Sequence, residues 1–256
     1  MVAFARYHAG MSILVLQHCA TCGPGRLGMT LRDHGVRLDV RRPDQHEADT
    51  PRGLPGDLDG VDGLIILGGP QNVTDIAQYP WMQQEAAYIK RCHEATLPIV
   101  GICLGAQLIA HALGGKVEAR SKPQVGFDEV QITPAGQVEP VLGGIAWRHP
   151  QFFSCGQEIK QLPPGATLLA GSGATPVQAF KAGVRTFGFA YHFECDRPLL
   201  DALIGASTSM LSGAGVAEGY LAASIDQHYP TYARLSDRLS LNLATLCFPV
   251  MRHATA

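Results

Sequence analysis

Cys103 stands in Gly101-Ile102-Cys103-Leu104-Gly105, with a glycine two residues away on either side. A short apolar run, Pro98-Ile99-Val100, precedes it. After it, Leu104, Leu108 and Ala112 recur at helical spacing until Gly114-Gly115. A strand, a sharp turn and a helix, with the reactive side chain at the turn, is the cysteine form of the G-x-S-x-G nucleophile elbow. The glycines permit a turn too tight for side chains at their positions. The sulfur then lies over a helix N-terminus, whose partial positive charge favours thiolate over thiol. Such a nucleophile suits acyl transfer through a thioester, and it needs a base oriented by a carboxylate. Tyr191-His192-Phe193-Glu194 offers both at the end of the strand-like run Thr186–Ala190. Residues two apart on an extended chain project to the same side, so His192 and Glu194 can pair. A cysteine in an apolar run is more often a small buried hydrophobe, and the His-x-Glu pair is what sets Cys103 apart. The stretch is also no membrane span: Gln107 and His111 interrupt it, and it falls short of ~20 strongly apolar residues.

Gly68-Gly69-Pro70 follows another apolar run, Gly63–Leu67. Two glycines there can be only a turn. Beside a cysteine elbow they can also bring a backbone N–H close to a substrate, as acyl transfer requires at its oxyanion.

Gly101-Ile-Cys-Leu-Gly-Ala-Gln107 followed by His192-x-Glu194 resembles the class I, or triad, glutamine amidotransferases. It is most similar to free-standing proteins like the amidotransferase domain of GMP synthase. The resemblance covers Met11 to Phe248. It implies a flavodoxin-like fold and hydrolysis of the glutamine side-chain amide through a thioester on Cys103, with ammonia released to an acceptor. Cys103, His192 and Glu194 would be the triad, and the N–H groups of Gly69 and Leu104 the oxyanion hole. Gly68, Gln107, Ser154 and Cys155 would contact the substrate. Neither a cofactor nor a metal is implied. The partners implied are glutamine and a synthase or acceptor-binding protein. One segment departs from the family: relatives carry a His and an Asp where this chain has Ser154-Cys155-Gly156-Gln157. That bears on glutamine handling and leaves the triad untouched. Two alternatives stay open. One is a γ-glutamyl hydrolase or PfpI-like cysteine hydrolase on the same architecture, with Glu194 favouring the former. The other is a catalytically weak regulatory or binding homologue.

The elements that must hold these residues can be read in order. Ser12–Leu16, Val36–Val40, Gly63–Leu67 and the elbow strand alternate with helical stretches at Leu27–His34 and Trp81–Glu94. Short strand-like runs follow at Lys116–Arg120, Gly126–Ile132, Gln151–Ser154, Thr167–Ala170 and Val177–Phe180. Parallel βαβ units leading into antiparallel strands predict an α/β fold: a mixed, largely parallel central sheet with helices on both faces. From Pro198 the pattern is helical, with stripes at Leu199, Leu200, Leu203 and Ile204, and later at Tyr232, Leu235, Leu239, Leu243 and Leu246. The expected organisation is a disordered tail over 1–10, an α/β domain over 11–195 and a helical extension over 196–256 packed on it.

Composition bounds the rest. Hydrophobic residues make up 46% of the 256, enough for a sizeable core, and 20 basic against 22 acidic residues argue against nucleic-acid or membrane-surface partners. Seven cysteines without framework spacing and no signal-like N-terminus suit a cytoplasmic protein. Cys19-x-x-Cys22 resembles a redox pair or half a zinc site. No second C-x-x-C completes a metal set, so no metal is expected there. Composition is silent on oligomeric state.

Overall fold

The computed structural model describes residues 11–45, 53–216 and 218–248. The tail expected over 1–10 lies outside the described residues. The parallel half of the chain contains β1 (Ser12–Leu16), α1 (Gly25–Asp33), β2 (Arg37–Arg41), β3 (Gly63–Ile66), α2 (Pro80–Glu94), β4 (Ile99–Ile102) and α3 (Leu104–Ala112). Then come β5 (Lys116–Ile132), the single turn α4 (Pro134–Gln137), β6 (Arg148–Gln161), β7 (Thr167–Gly171), β8 (Ala179–Ala182) and β9 (Thr186–Phe189). Three helices close the described chain: α5 (Arg197–Ala206), α6 (Thr208–Ala214) and α7 (Glu218–Asn242).

All nine strands join one sheet in the order β2-β1-β3-β4-β9-β8-β7-β5-β6. From β2 to β9 neighbours run parallel, and from β9 to β6 antiparallel. The mixed sheet expected from the sequence is therefore present. Its parallel strands are apolar on both faces because each face is covered. Ile13 and Val15 point to one side, into the cluster holding Leu27 and Leu31 of α1 and Leu239 of α7. Leu14 and Leu16 point to the other, with Met82 and Ile89 of α2 and Leu108 and Ile109 of α3. Period-two alternation thus feeds two cores from one strand. Each such fully buried aliphatic side chain contributes about 1.5–3 kcal/mol.

Some elements differ from the sequence reading. The two runs at 116–120 and 126–132 are one strand, β5, bent by a register shift between Ala119 and Gln124. Its partner β6 extends well past the expected Gln151–Ser154 because β5 offers backbone partners from Arg148 to Gln161. The strand leading to His192 stops at Phe189, and His192 is held by an isolated bridge to Phe152. Leu246, expected within the buried stripe, is 49% exposed. The helix widens to a π-turn over Leu243–Cys247, closed by Phe248 N–H to the Leu243 carbonyl at 2.9 Å, and this shifts the face that meets the core. Cys19 and Cys22, given no covalent role above, are joined as a disulfide across the Ala20-Thr21 turn, with Cα atoms 5.2 Å apart. The C-terminal helices share the main packing. Leu239, Leu243 and Phe248 sit in the cluster with Ile13 and Ile65, while Leu221, Ile225 and Tyr232 pack on Phe152.

Three adjacent strands in the sheet, β3, β4 and β9, end at the same edge. Gly68-Gly69, Cys103 and His192 follow those ends. The carboxyl edge of a parallel sheet is where such folds place ligands.

Candidate active site

Cys103 has φ 52° and ψ −109°, a conformation rare for any side-chain-bearing residue. It costs about 1–3 kcal/mol and persists only where packing enforces it. The two glycines show the enforcement. A Cβ on Gly105 would collide with the Ile66 carbonyl oxygen, and one on Gly101 would lie 2.6 Å from the Gly105 carbonyl. Strand, turn and helix interlock at van der Waals contact, and the Cys103 N–H donates to the Phe189 carbonyl of β9 at 2.8 Å. The thiol is nearly buried, sits at the N-terminus of α3, and approaches the Ser154 carbonyl at 3.7 Å.

His192 Nδ1 donates to Glu194 Oε1 at 2.8 Å, both side chains being buried. His192 Nε2 and Glu194 Oε2 have no partner among the described residues. Burial opposes a charge on His192. The Glu194 carboxylate and the neighbouring Cys103 sulfur outweigh it and hold the imidazole well above its ordinary pKa. Gly68 bridges the two groups: a Cβ there would lie 2.9 Å from His192 Cε1 and 3.6 Å from Cys103 Cβ. One on Gly69 would lie 2.9 Å from Leu104 Cδ2. The expected triad and the expected oxyanion residues therefore come together at one point. Gly69, Cys103, Leu104, Gln107, Ser154 and Cys155 line a cavity of about 390 Å³.

Residues 26–196 match the family described as glutamine amidotransferase class-I. The chain belongs to that family.

Among its relatives, the GMP synthase of Porphyromonas gingivalis is 33% identical over 142 residues, covering 55% of this chain and 26% of the synthase. The glutamine-hydrolyzing subunit of the Thermococcus kodakarensis GMP synthase is 34% identical over 134 residues, covering 52% of this chain and 65% of its relative. The amidotransferase thus spans about a quarter of the full-length synthase it matches. A crystal structure of a glutamine amidotransferase from Methylobacillus flagellatus superposes with a TM-score of 0.78 and 25% identity, covering 90% of this chain and 93% of that one. Among the described residues of this amidotransferase no helix is long and apolar enough to cross a membrane.

The segment that departs from the family is wired to its surroundings. The Ser154 hydroxyl bonds that of Ser207 at 2.6 Å, between α5 and α6, and Ser207 in turn donates to the Leu203 carbonyl at 2.7 Å. Gln157 Oε1 accepts from Val73 N–H at 2.8 Å, its Nε2 donates to Thr74 Oγ1 at 2.6 Å, and its carbonyl accepts from Gln107 Nε2 at 3.3 Å. An amide both donates and accepts, which a carboxylate cannot do. Cys155 lines the cavity, but burial pushes its thiol up to about 12, leaving it a weak nucleophile.

Four contributors escaped the sequence reading. Tyr232, read only as part of an apolar stripe, donates its hydroxyl to the His192 carbonyl at 2.6 Å and lies 3.1 Å from that of Cys195. The Arg26 N–H donates to the Glu194 carbonyl at 2.8 Å, while its guanidinium reaches Cys195 and Asp237. His18 and Glu85 form a buried pair behind Gly68-Gly69. The only sequence signal was Glu85 on an otherwise core-facing position of α2. As for metals, His192, Glu194 and Cys195 bring ligand atoms within 4.8 Å of one another. Nδ1 is committed to Glu194, and burial pushes the Cys195 thiol up to about 12. A metal ion needs that thiol deprotonated, so the set fits one poorly.

Proposed function

We propose that this amidotransferase hydrolyses the side-chain amide of glutamine through Cys103, His192 and Glu194, releasing ammonia. The observation that carries the reading is the meeting of the strained Cys103, the 2.8 Å His192–Glu194 pair and the Gly68-Gly69 loop at one cavity. The Cys103 thiolate, beside the His192 imidazolium, attacks the amide carbon. The N–H groups of Gly69 and Leu104 receive the charge on the oxygen. His192 gives its proton to the departing nitrogen, ammonia leaves, and a thioester remains on Cys103. The now neutral imidazole takes a proton from water. The hydroxide adds to the thioester, and glutamate leaves as the sulfur regains its charge. Glu194 holds the imidazole orientation throughout. Gln107, Ser154 and Cys155 form the wall against which the glutamine body packs. We assign residues 11–195 to the catalytic domain and the helices after Asp196 to an extension that completes its wall through Ser209 and Met210. The ammonia goes to an acceptor on a separate synthase-type protein, a reading supported by the similarity to the glutamine-hydrolyzing subunit of a GMP synthase.

The test is ammonia release from glutamine by wild type and Cys103→Ala, with γ-glutamyl peptides as rival substrates. Turnover of glutamine that vanishes in the variant supports the reading. Turnover of γ-glutamyl peptides alone would replace it with the γ-glutamyl hydrolase alternative.

A further inference from the structure

We infer that His18 and Glu85 are a positioning pair that sets the direction of the Gly69 N–H, and so builds the oxyanion side of the site from behind; this rests on the amidotransferase reading above. His18 follows β1 and Glu85 lies inside α2. Both side chains are fully buried. His18 Nε2 meets both carboxylate oxygens of Glu85, at 3.1 and 3.0 Å. Its Nδ1 meets the carbonyl oxygens of Leu67 at 3.1 Å and Gly68 at 3.4 Å. The ring stacks on Trp81 with centroids 5.4 Å apart and planes 22° apart, which removes its freedom to turn.

The partners fix the protons. A carbonyl can only accept, so Nδ1 must carry a hydrogen. Nε2 facing an ionised carboxylate must carry one too. Glu85 is what makes a doubly protonated ring tolerable in this buried place, by neutralising its charge. The consequence for the loop follows from peptide geometry. The peptide is planar and trans, so the Gly68 carbonyl and the Gly69 N–H point in opposite directions. With that carbonyl drawn to His18, the Gly69 N–H is turned away from His18, toward the side where Leu104 lies. There is no slack for another arrangement: a Cβ on Gly69 would lie 2.6 Å from His18 Cβ on one side and 2.9 Å from Leu104 Cδ2 on the other. The pair acts through the loop and touches no reacting atom.

Two double variants separate positioning from mere packing. His18→Leu/Glu85→Leu removes the pair and leaves apolar volume, a replacement that buried ion pairs often tolerate. His18→Asn/Glu85→Leu retains one N–H donor near the place of Nδ1. With the leucine pair, kcat for glutamine should fall on the order of 10–100-fold, the scale of a lost oxyanion donor, with KM little changed. Alkylation of Cys103 by iodoacetamide, which develops no oxyanion, should keep its rate. Amide hydrogen exchange over 67–72 should speed up. The asparagine variant should recover most of kcat and of the slow exchange. A folded leucine variant with wild-type kcat and wild-type exchange overturns the inference. If wild type releases no ammonia from glutamine, the functional reading fails and the exchange comparison alone decides the positioning claim. One measurement needs no variant: in ¹⁵N-histidine-labelled wild type at neutral pH, His18 Nδ1 must be protonated, and a bare Nδ1 overturns the inference.

Discussion

The Tyr232 hydroxyl lies 2.6 Å from the main-chain carbonyl of His192 and donates to it. A residue near the middle of the last long helix thus holds the backbone of the triad histidine, forty positions earlier in the chain. Arg26 joins the same network, bonding Tyr229 and Asp237 on that helix and the carbonyl of Cys195 beside the triad. The helical extension is therefore part of what orients the base.

Tyr232→Phe should show this. It strands buried carbonyls that now accept its hydrogen bond, which costs about 1–3 kcal/mol. The melting temperature should fall, and kcat should drop several-fold with KM little changed. Calorimetry and steady-state kinetics check both, and unchanged kcat would confine Tyr232 to packing.

The triad members should rank. Cys103→Ala and His192→Ala should each remove nearly all turnover. Glu194→Gln should retain about one to two orders of magnitude more activity, because an orienting carboxylate contributes less than the nucleophile or base. Rates of ammonia release decide it: equal losses would give Glu194 a further role, and full activity in Glu194→Gln would remove it from the mechanism.

His192 also leaves a signature in stability. Its folded pKa is raised above the unfolded value near 6.5, so the native state binds its proton more tightly. The resulting stabilisation is fully present below about pH 6.5 and is lost as the pH climbs through the folded value. Urea midpoints for wild type and His192→Gln should therefore differ most in mild acid and converge as the pH is raised. A gap that widens with pH would contradict the sign.

Gln157→Asp tests the departing segment. The carboxylate can still accept from Val73 but cannot donate to Thr74, so the turn over Val73–Gln78 beside the cavity should loosen. KM for glutamine should rise and thermal stability fall by about 1 kcal/mol, the typical worth of one hydrogen bond. A lower KM in the Gln157→Asp variant would mean that the position contacts substrate instead.

Much of this site was legible beforehand because its signals are local. Gly101 and Gly105 are required by contacts with the next turn, and His192 and Glu194 pair across two residues, so short spacing encodes both. Gly68-Gly69 was readable only beside the elbow. Tyr232, Arg26, His18 and Glu85 were not readable, since each acts across long sequence separations: 40 residues from Tyr232 to His192, 67 from His18 to Glu85. A tyrosine on an apolar stripe looks the same whether its hydroxyl is free or committed. Leu246 shows the converse, where a π-turn rotated a regular pattern out of register.

The central claim is that glutamine is opened by Cys103, and the most direct measurement is covalent mapping. The protein would be treated with a diazo-ketone glutamine analogue, with and without excess glutamine, digested and analysed by mass spectrometry. The account predicts one label per chain, on Cys103 alone, slowed by glutamine and absent in His192→Ala. A label on Cys155, or labelling of Cys103 that glutamine does not slow, would contradict it.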